Sequence, residues 1–129
     1  MVLMEELTSL FQLYCQAFDD KDAMAISSKY TTPCAISDAD GALVFSEHSA
    51  LLEKFENNCN RLSELGHQYS EFVLSEQRQL GKGVAMVDVG WRVYFTDRSS
   101  EFRCLYIVHK TELGWRIFSA HLYAEAHSK

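Results

Sequence analysis

Val84–Phe95, VAMVDVGWRVYF, alternates along its whole length: Ala85, Val87, Val89, Trp91, Val93 and Phe95 form an unbroken apolar register, and Val84, Met86, Asp88, Gly90, Arg92 and Tyr94 form the other. That period of two marks a strand with one face in the core. At roughly 3.3 Å per residue it runs for about 40 Å, so a sheet built on it twists and curls. A curled sheet has a hollow side, and helices laid against it close the hollow into a pocket.

Working outward, strands are predicted on both sides. His67 to Leu80 precedes the Gly81-Lys82-Gly83 turn, and Glu101 to Lys110 and Trp115 to Tyr123 follow, joined by turns at Asp97 to Ser100 and at Gly114. Ala124 to Lys129 reads as a frayed tail. Upstream the period changes. Leu3, Leu7, Leu10, Phe11, Tyr14 and Phe18 fall at three- and four-residue spacing and predict an amphipathic helix over Met4 to Asp19. Asp19 or Asp20 caps a second, shorter helix through Lys29, which Pro33 stops. Cys34 to Ser37 and Leu43 to Phe45 read as short strands around the turn Asp38-Ala39-Asp40-Gly41. Ser46 caps a third helix, whose stripe Leu51, Leu52, Phe55, Cys59 and Leu62 ends at Gly66.

Helices first and a meander of long strands afterwards make an α+β domain: a cone-shaped, curved, mostly antiparallel sheet with three helices from the N-terminal side on its concave face. Both faces of the last two strands are substantially apolar, and one helical layer covers only one of them. The other face is expected to meet a second copy in a homodimer, with Asp88 and Arg92 as an interface salt bridge.

Composition narrows the function. With 129 residues, 47% hydrophobic and 12% aromatic, the chain has material for a single core spanning 1–129. A net charge of -6 with no basic stripe argues against nucleic acid. Met1 to Glu6 lacks the features of a signal peptide and no segment is apolar enough to span a bilayer, so the chain reads as a soluble cytoplasmic protein with no membrane partner. Cys15, Cys34, Cys59 and Cys104 are scattered and read as reduced, buried thiols, with Cys34 the alternative as a reactive thiol beside the pocket. His67 and His109 are isolated, Glu47 and His48 lack a metal-like partner, and neither a metal site nor a cofactor is expected.

The order helix, helix, short strands, helix, four long strands resembles the nuclear transport factor 2-like superfamily, which includes SnoaL-like cyclases and ketosteroid isomerase. The features that carry the resemblance are the Tyr14 to Ala17 helix leading into Asp22, Tyr30, the Asp38 to Gly41 loop, the third helix, and Gly114-Trp115-Arg116-Ile117 through His121. Ketosteroid isomerase is the sharper comparison. It implies Tyr14 as the donor to an enolate oxygen and Asp38 as the general base, while Tyr106, a phenol, falls near the place of that enzyme's protonated aspartic acid.

Proton abstraction beside a carbonyl needs a desolvated carboxylate and preorganised donors, which makes Tyr14, Asp38, Tyr106 and His121 the candidate catalytic set. Phe18, Tyr30, Phe55, Trp91, Phe102 and Ser119 are the candidate ligand-binding residues, with His121 and Ser119 facing the cavity together. Structural readings stand beside these: Tyr14 as a core residue, Asp38 and Asp40 as turn formers, His121 as a hydrogen-bonded structural histidine. Three functions remain open: a domain that binds a small hydrophobic organic molecule, an acid–base isomerase, dehydratase or cyclase on a carbonyl compound, and a dimerisation module with a filled core.

Overall fold

A computed structural model describes residues 2–128. The chain runs α1 (Val2–Asp19), α2 (Ala23–Ser27), β1 (Tyr30–Asp38), β2 (Gly41–Phe45), α3 (His48–Glu64), β3 (His67–Gly81), β4 (Val84–Phe95), β5 (Ser99–Thr111) and β6 (Gly114–Ser128). The strands form one curved, open sheet in the order β2-β1-β6-β5-β4-β3. Neighbours are antiparallel except β1 and β6, which are parallel.

The alternation of β4 places Ala85, Val87 and Val89 fully inside and Trp91 nearly so. Val108 of β5 and Ile117 of β6 meet that face across the ladder, and Phe11 and Leu7 of α1 and Leu51 of α3 cover it, all fully buried. Burying these aliphatic and aromatic side chains is the main force holding helices to sheet. Trp115 anchors the start of α1: its indole N–H donates to Glu6 at 2.9 Å, and the Lys110 ammonium lies over its ring.

Several boundaries move for identifiable reasons. Lys21, at φ 55°, takes the left-handed position that ends α1, with the N–H of Asp22 on the Ala17 carbonyl and that of Lys21 on Phe18. Asp19 and Asp20 are thereby used up in the exit from α1, and the cap of α2 is Asp22, which accepts from the Ala25 N–H at 3.0 Å. Glu47, not Ser46, sits at the start of α3, without a side-chain cap. Pro33 lies inside β1 rather than ahead of it, in the stretch where the pairing to β6 shifts register, since it has no N–H to contribute there. The expected frayed tail is instead paired: β5 continues to Ser99 and supplies partners to β6 as far as Ser128, while Lys129 lies outside the described residues.

Gly66 closes α3 at φ +81°, and a Cβ there would meet Thr96 Oγ1 at 2.7 Å. On the outer face Asp88 and Arg92 do not pair with each other. Residues four apart on a strand stand roughly 13 Å apart, whereas cross-strand neighbours stand about 5 Å apart. Asp88 accordingly takes Arg103 at 3.1 Å and the Tyr123 hydroxyl at 2.8 Å, and Arg92 takes Glu101 at 2.6 Å.

Candidate functional site

Between the concave face and the helices lies a cavity of about 330 Å³. Helix α1 turns Tyr14 and Phe18 into it, because both belong to the apolar stripe that faces the sheet. The bend of β1 brings Tyr30 and Asp38, α3 adds Phe55, and β4 and β5 supply Trp91, Phe102, Cys104 and Tyr106. Trp91 and Phe102 are paired across the ladder and stack with ring centres 6.3 Å apart.

The hydroxyls inside this aromatic shell are wired together. Tyr14 and Tyr30 share a hydrogen bond of 2.6 Å, and Trp91 Nε1 donates to the Tyr106 hydroxyl at 3.0 Å. Burial first of all pushes the three phenols well above the ordinary tyrosine range. They are donors and not bases at any ordinary pH. Each phenol carries one hydrogen, so the Tyr14–Tyr30 bond uses one of that pair's two, while Tyr106 accepts from Trp91. Burial likewise pushes Cys104 up to about 12 and Cys34 up to about 11, so neither is a thiolate.

Asp38 lies on the cavity wall at the rim formed by the turn. Its Oδ1 accepts from the Asp40 N–H at 3.0 Å, the turn role that the sequence suggests, and its Oδ2 lies 3.0 Å from Lys54 Nζ. Lys54 also holds Asp40 at 2.8 Å, and Arg61 approaches Asp40 at 3.5 Å. The Lys54 side chain is only 6% exposed. Bonding to this ammonium and then its charge hold the Asp40 carboxyl below the usual range. Lys54 is invisible in the helix pattern because its partners lie on a different element.

The structure does not bring His121 and Ser119 into the cavity. A bulge near Phe118 shifts the pairing of β6 on β5 between Ile107 and Val108, so that Tyr106 faces Ala120 and Leu105 faces His121. A bulge adds one residue and inverts the faces beyond it. His121 is therefore exposed on the outer side, Ser119 shares the register of outward Ile107, and Ala120 and Leu122 line the cavity instead.

A second polar group was not legible as one in the sequence. His67, whose side chain is fully buried, meets Lys21 Nζ at Nδ1 and Ser70 Oγ at 2.9 Å from Nε2, with Asp19 Oδ1 at 3.8 Å. Serine, histidine and aspartate meet here, but not in the wiring of a hydrolase. An ammonium at Nδ1 can only donate, so the ring hydrogen is on Nε2 and the ring cannot take a proton from Ser70. Burial and then Lys21 push His67 down to about 4. Because that value lies below the unfolded one of 6.5, the stability tied to neutral His67 is complete above pH 6.5 and is lost as pH falls to about 4. Chemical denaturation across this range should show a loss of about 3 kcal/mol that His67→Gln removes.

The geometry has the arrangement of one known family, and a family model described as NTF2-like protein (DUF6841) matches residues 5–125. The chain belongs to this family. Solved structures agree on the NTF2-like fold at low sequence identity. A cystatin-like domain of unknown function from Nostoc punctiforme has a TM-score of 0.79 and 13% identity, covering 95% of this chain and 77% of that one. An NTF2-like protein of unknown function from Shewanella oneidensis has a TM-score of 0.76 and 17% identity, covering 92% and 97%. A scytalone dehydratase-like protein from Novosphingobium aromaticivorans has a TM-score of 0.74 and 12% identity, covering 98% and 87%. No curated protein matches the chain. Among the described residues of this NTF2-like protein, no helix is long and apolar enough to cross a membrane.

Proposed function

We propose that this domain binds a small hydrophobic organic molecule in the cavity, with a carbonyl or similar acceptor on the tyrosine hydroxyls. The observation that carries the reading is the combination in one space of about 330 Å³, an aromatic wall and the buried hydroxyls of Tyr14, Tyr30 and Tyr106. Such a space is the size of a small-ligand site, largely apolar with a few convergent polar groups. It also speaks against a filled core. Native mass spectrometry with steroid-like, aromatic and polyketide-like carbonyl compounds tests this: one bound molecule per subunit supports it, and no binding at millimolar concentration overturns it. Tyr14→Phe should weaken a carbonyl ligand by about tenfold, the value of one buried hydrogen bond.

The outer face favours a homodimer. Phe118 and Tyr123 are exposed there, 39% and 54%, beside Leu105 and Ile107. Sedimentation at micromolar concentration should show a dimer, and a monomer would end that part of the reading.

A second reading, acid–base catalysis on a carbonyl compound, draws support from Asp38 lining the same space as Tyr14 and Tyr106. The scytalone dehydratase-like structure is a neighbour in fold. Against it stands Lys54, which occupies the carboxylate that would have to take the proton. The readings separate cleanly. As an enzyme, Asp38→Asn loses turnover by at least about 1000-fold while affinity stays nearly intact. As a binding domain, neither form turns over any carbonyl compound that it binds.

A further inference from the structure

The sheet is open and ends in two edge strands, β3 and β2, which are built differently. The β3 edge is guarded. Its pairing with β4 shifts register between His67 and Tyr69, between Leu74 and Glu76 and between Gln79 and Gly81, and it exposes Glu71, Glu76 and Arg78. Bulges and charges of this kind keep other chains from adding to an edge. The β2 edge, Gly41–Phe45, has neither: GALVF carries no charge and no proline and pairs with β1 without a break. Leu43 is 42% exposed and Val44 73%.

The register with β1 fixes which backbone groups of β2 are free. Asp38 and Gly41 are partners across a two-residue turn, and the pair that closes such a turn is hydrogen-bonded. Bonded and non-bonded pairs alternate from there. Gly41, Leu43 and Phe45 therefore turn their N–H and C=O groups to β1, and Ala42 and Val44 turn theirs outward. Among the described residues neither Ala42 nor Val44 makes a backbone hydrogen bond outside the ladder. The side chains sort by face. Leu43 stands opposite buried Ile36 on the helix side of the sheet, where its exposure shows that α3 leaves the edge uncovered, and Val44 stands opposite Ala35 on the outer side.

We propose that β2 is a self-association site, to which a second copy of the chain adds its own β2 antiparallel about a twofold axis at Leu43. That register sets Ala42 of each copy opposite Val44 of the other, the residues whose peptide groups point outward, so both pairs exchange their N–H···O=C bonds. The two Leu43 side chains then meet in a non-bonded pair, where side chains lie closest, and Val44 gains a cross-strand neighbour. A slip of one residue would set free groups against groups already used by β1. Charge allows the contact as well. The strand itself carries none, and Asp40 at its start, which would face Ser46 of the other copy, is already tied to Lys54 and Arg61. Five residues a side cover less than the roughly 1,000 Å² of a lasting interface, so the pairing is a reversible link and is separate from the homodimer contact on the outer face.

Disulfide trapping of the full chain under mild oxidation, read on non-reducing gels, tests it. A non-bonded cross-strand pair has Cα atoms roughly 4.5 Å apart, within reach of a disulfide, whereas the two Val44 positions lie on a diagonal about 7–8 Å apart, beyond it. Leu43→Cys should therefore form a linked dimer at least about tenfold faster than Val44→Cys, although Val44 is the more exposed. The wild type should form none, since its own cysteines are buried. Adding Val44→Pro to Leu43→Cys removes one outward N–H and no bond to β1, so the circular dichroism should stay unchanged while trapping falls about tenfold. Val44→Lys, which places a charge on the edge, should have the same effect and stands in if the proline disturbs the fold. Equal trapping of Leu43→Cys and Val44→Cys, no trapping of either, or trapping that survives both edge substitutions overturns the proposal. The cavity and the outer-face homodimer stand or fall by their own measurements.

Discussion

Trp91→Ala loses about 3–5 kcal/mol of stability, measured by urea unfolding, the upper range for deleting a large buried aromatic. Trp91 is 6% exposed and holds one wall of the cavity against Phe72, Tyr14 and Phe102, with ring centres 5.7, 6.0 and 6.3 Å away. Removing the indole widens an existing hollow that the sheet is too stiff to close, and it also leaves the buried Tyr106 hydroxyl without its donor. Trp91→Phe keeps most of the apolar volume and should cost only about 1–2 kcal/mol. A loss below about 1 kcal/mol in the alanine variant would mean that the wall falls inward and that the cavity is not a rigid space.

Lys54→Ala is the second large effect, about 2–4 kcal/mol at pH 7, because it strands two carboxylates that the buried ammonium holds at 3.0 and 2.8 Å. Arg61 at 3.5 Å from Asp40 offsets part of the repulsion. Acid should shrink the difference. The Asp40 carboxyl is held below its usual range by Lys54, so its stabilisation is present above the ordinary aspartate pKa of about 3.9 and is lost as pH falls through the folded value. Wild type and variant should therefore converge below about pH 4. A constant gap across that range would place the cost in lost packing of the lysine stem rather than in the charges. The same substitution frees Asp38 to act as a base, so a variant that gains turnover would support the enzyme reading.

What could be read in the chain divides along a physical line. The alternation in β4 and the three- and four-residue spacing in α1 are local periodicities, and they sort residues to the correct face without knowledge of the partner. That sorting led to Tyr14, Phe18, Trp91 and Phe102 on the cavity wall. It failed in β6. The bulge near Phe118 depends on how β6 meets β5, and one extra residue moved His121 out and brought Ala120 and Leu122 in. Asp88 and Arg92 failed for a related reason, since a strand chooses its charge partners across the ladder.

Sequence alone determined the α+β order, the curled sheet and the aromatic character of its hollow side, because each follows from short-range patterns of apolar area that any folded form must bury. Tertiary structure alone decided which polar groups meet at and around that hollow. Asp38 meets Lys54 from 16 residues away, and His67 meets Lys21 across 46. Contacts of that separation leave no periodic trace in the chain. Whether Asp38 is an open base or a tethered anion, and which ring nitrogen of His67 carries its hydrogen, is set by distances of about 3 Å that exist only once the helices lie on the sheet.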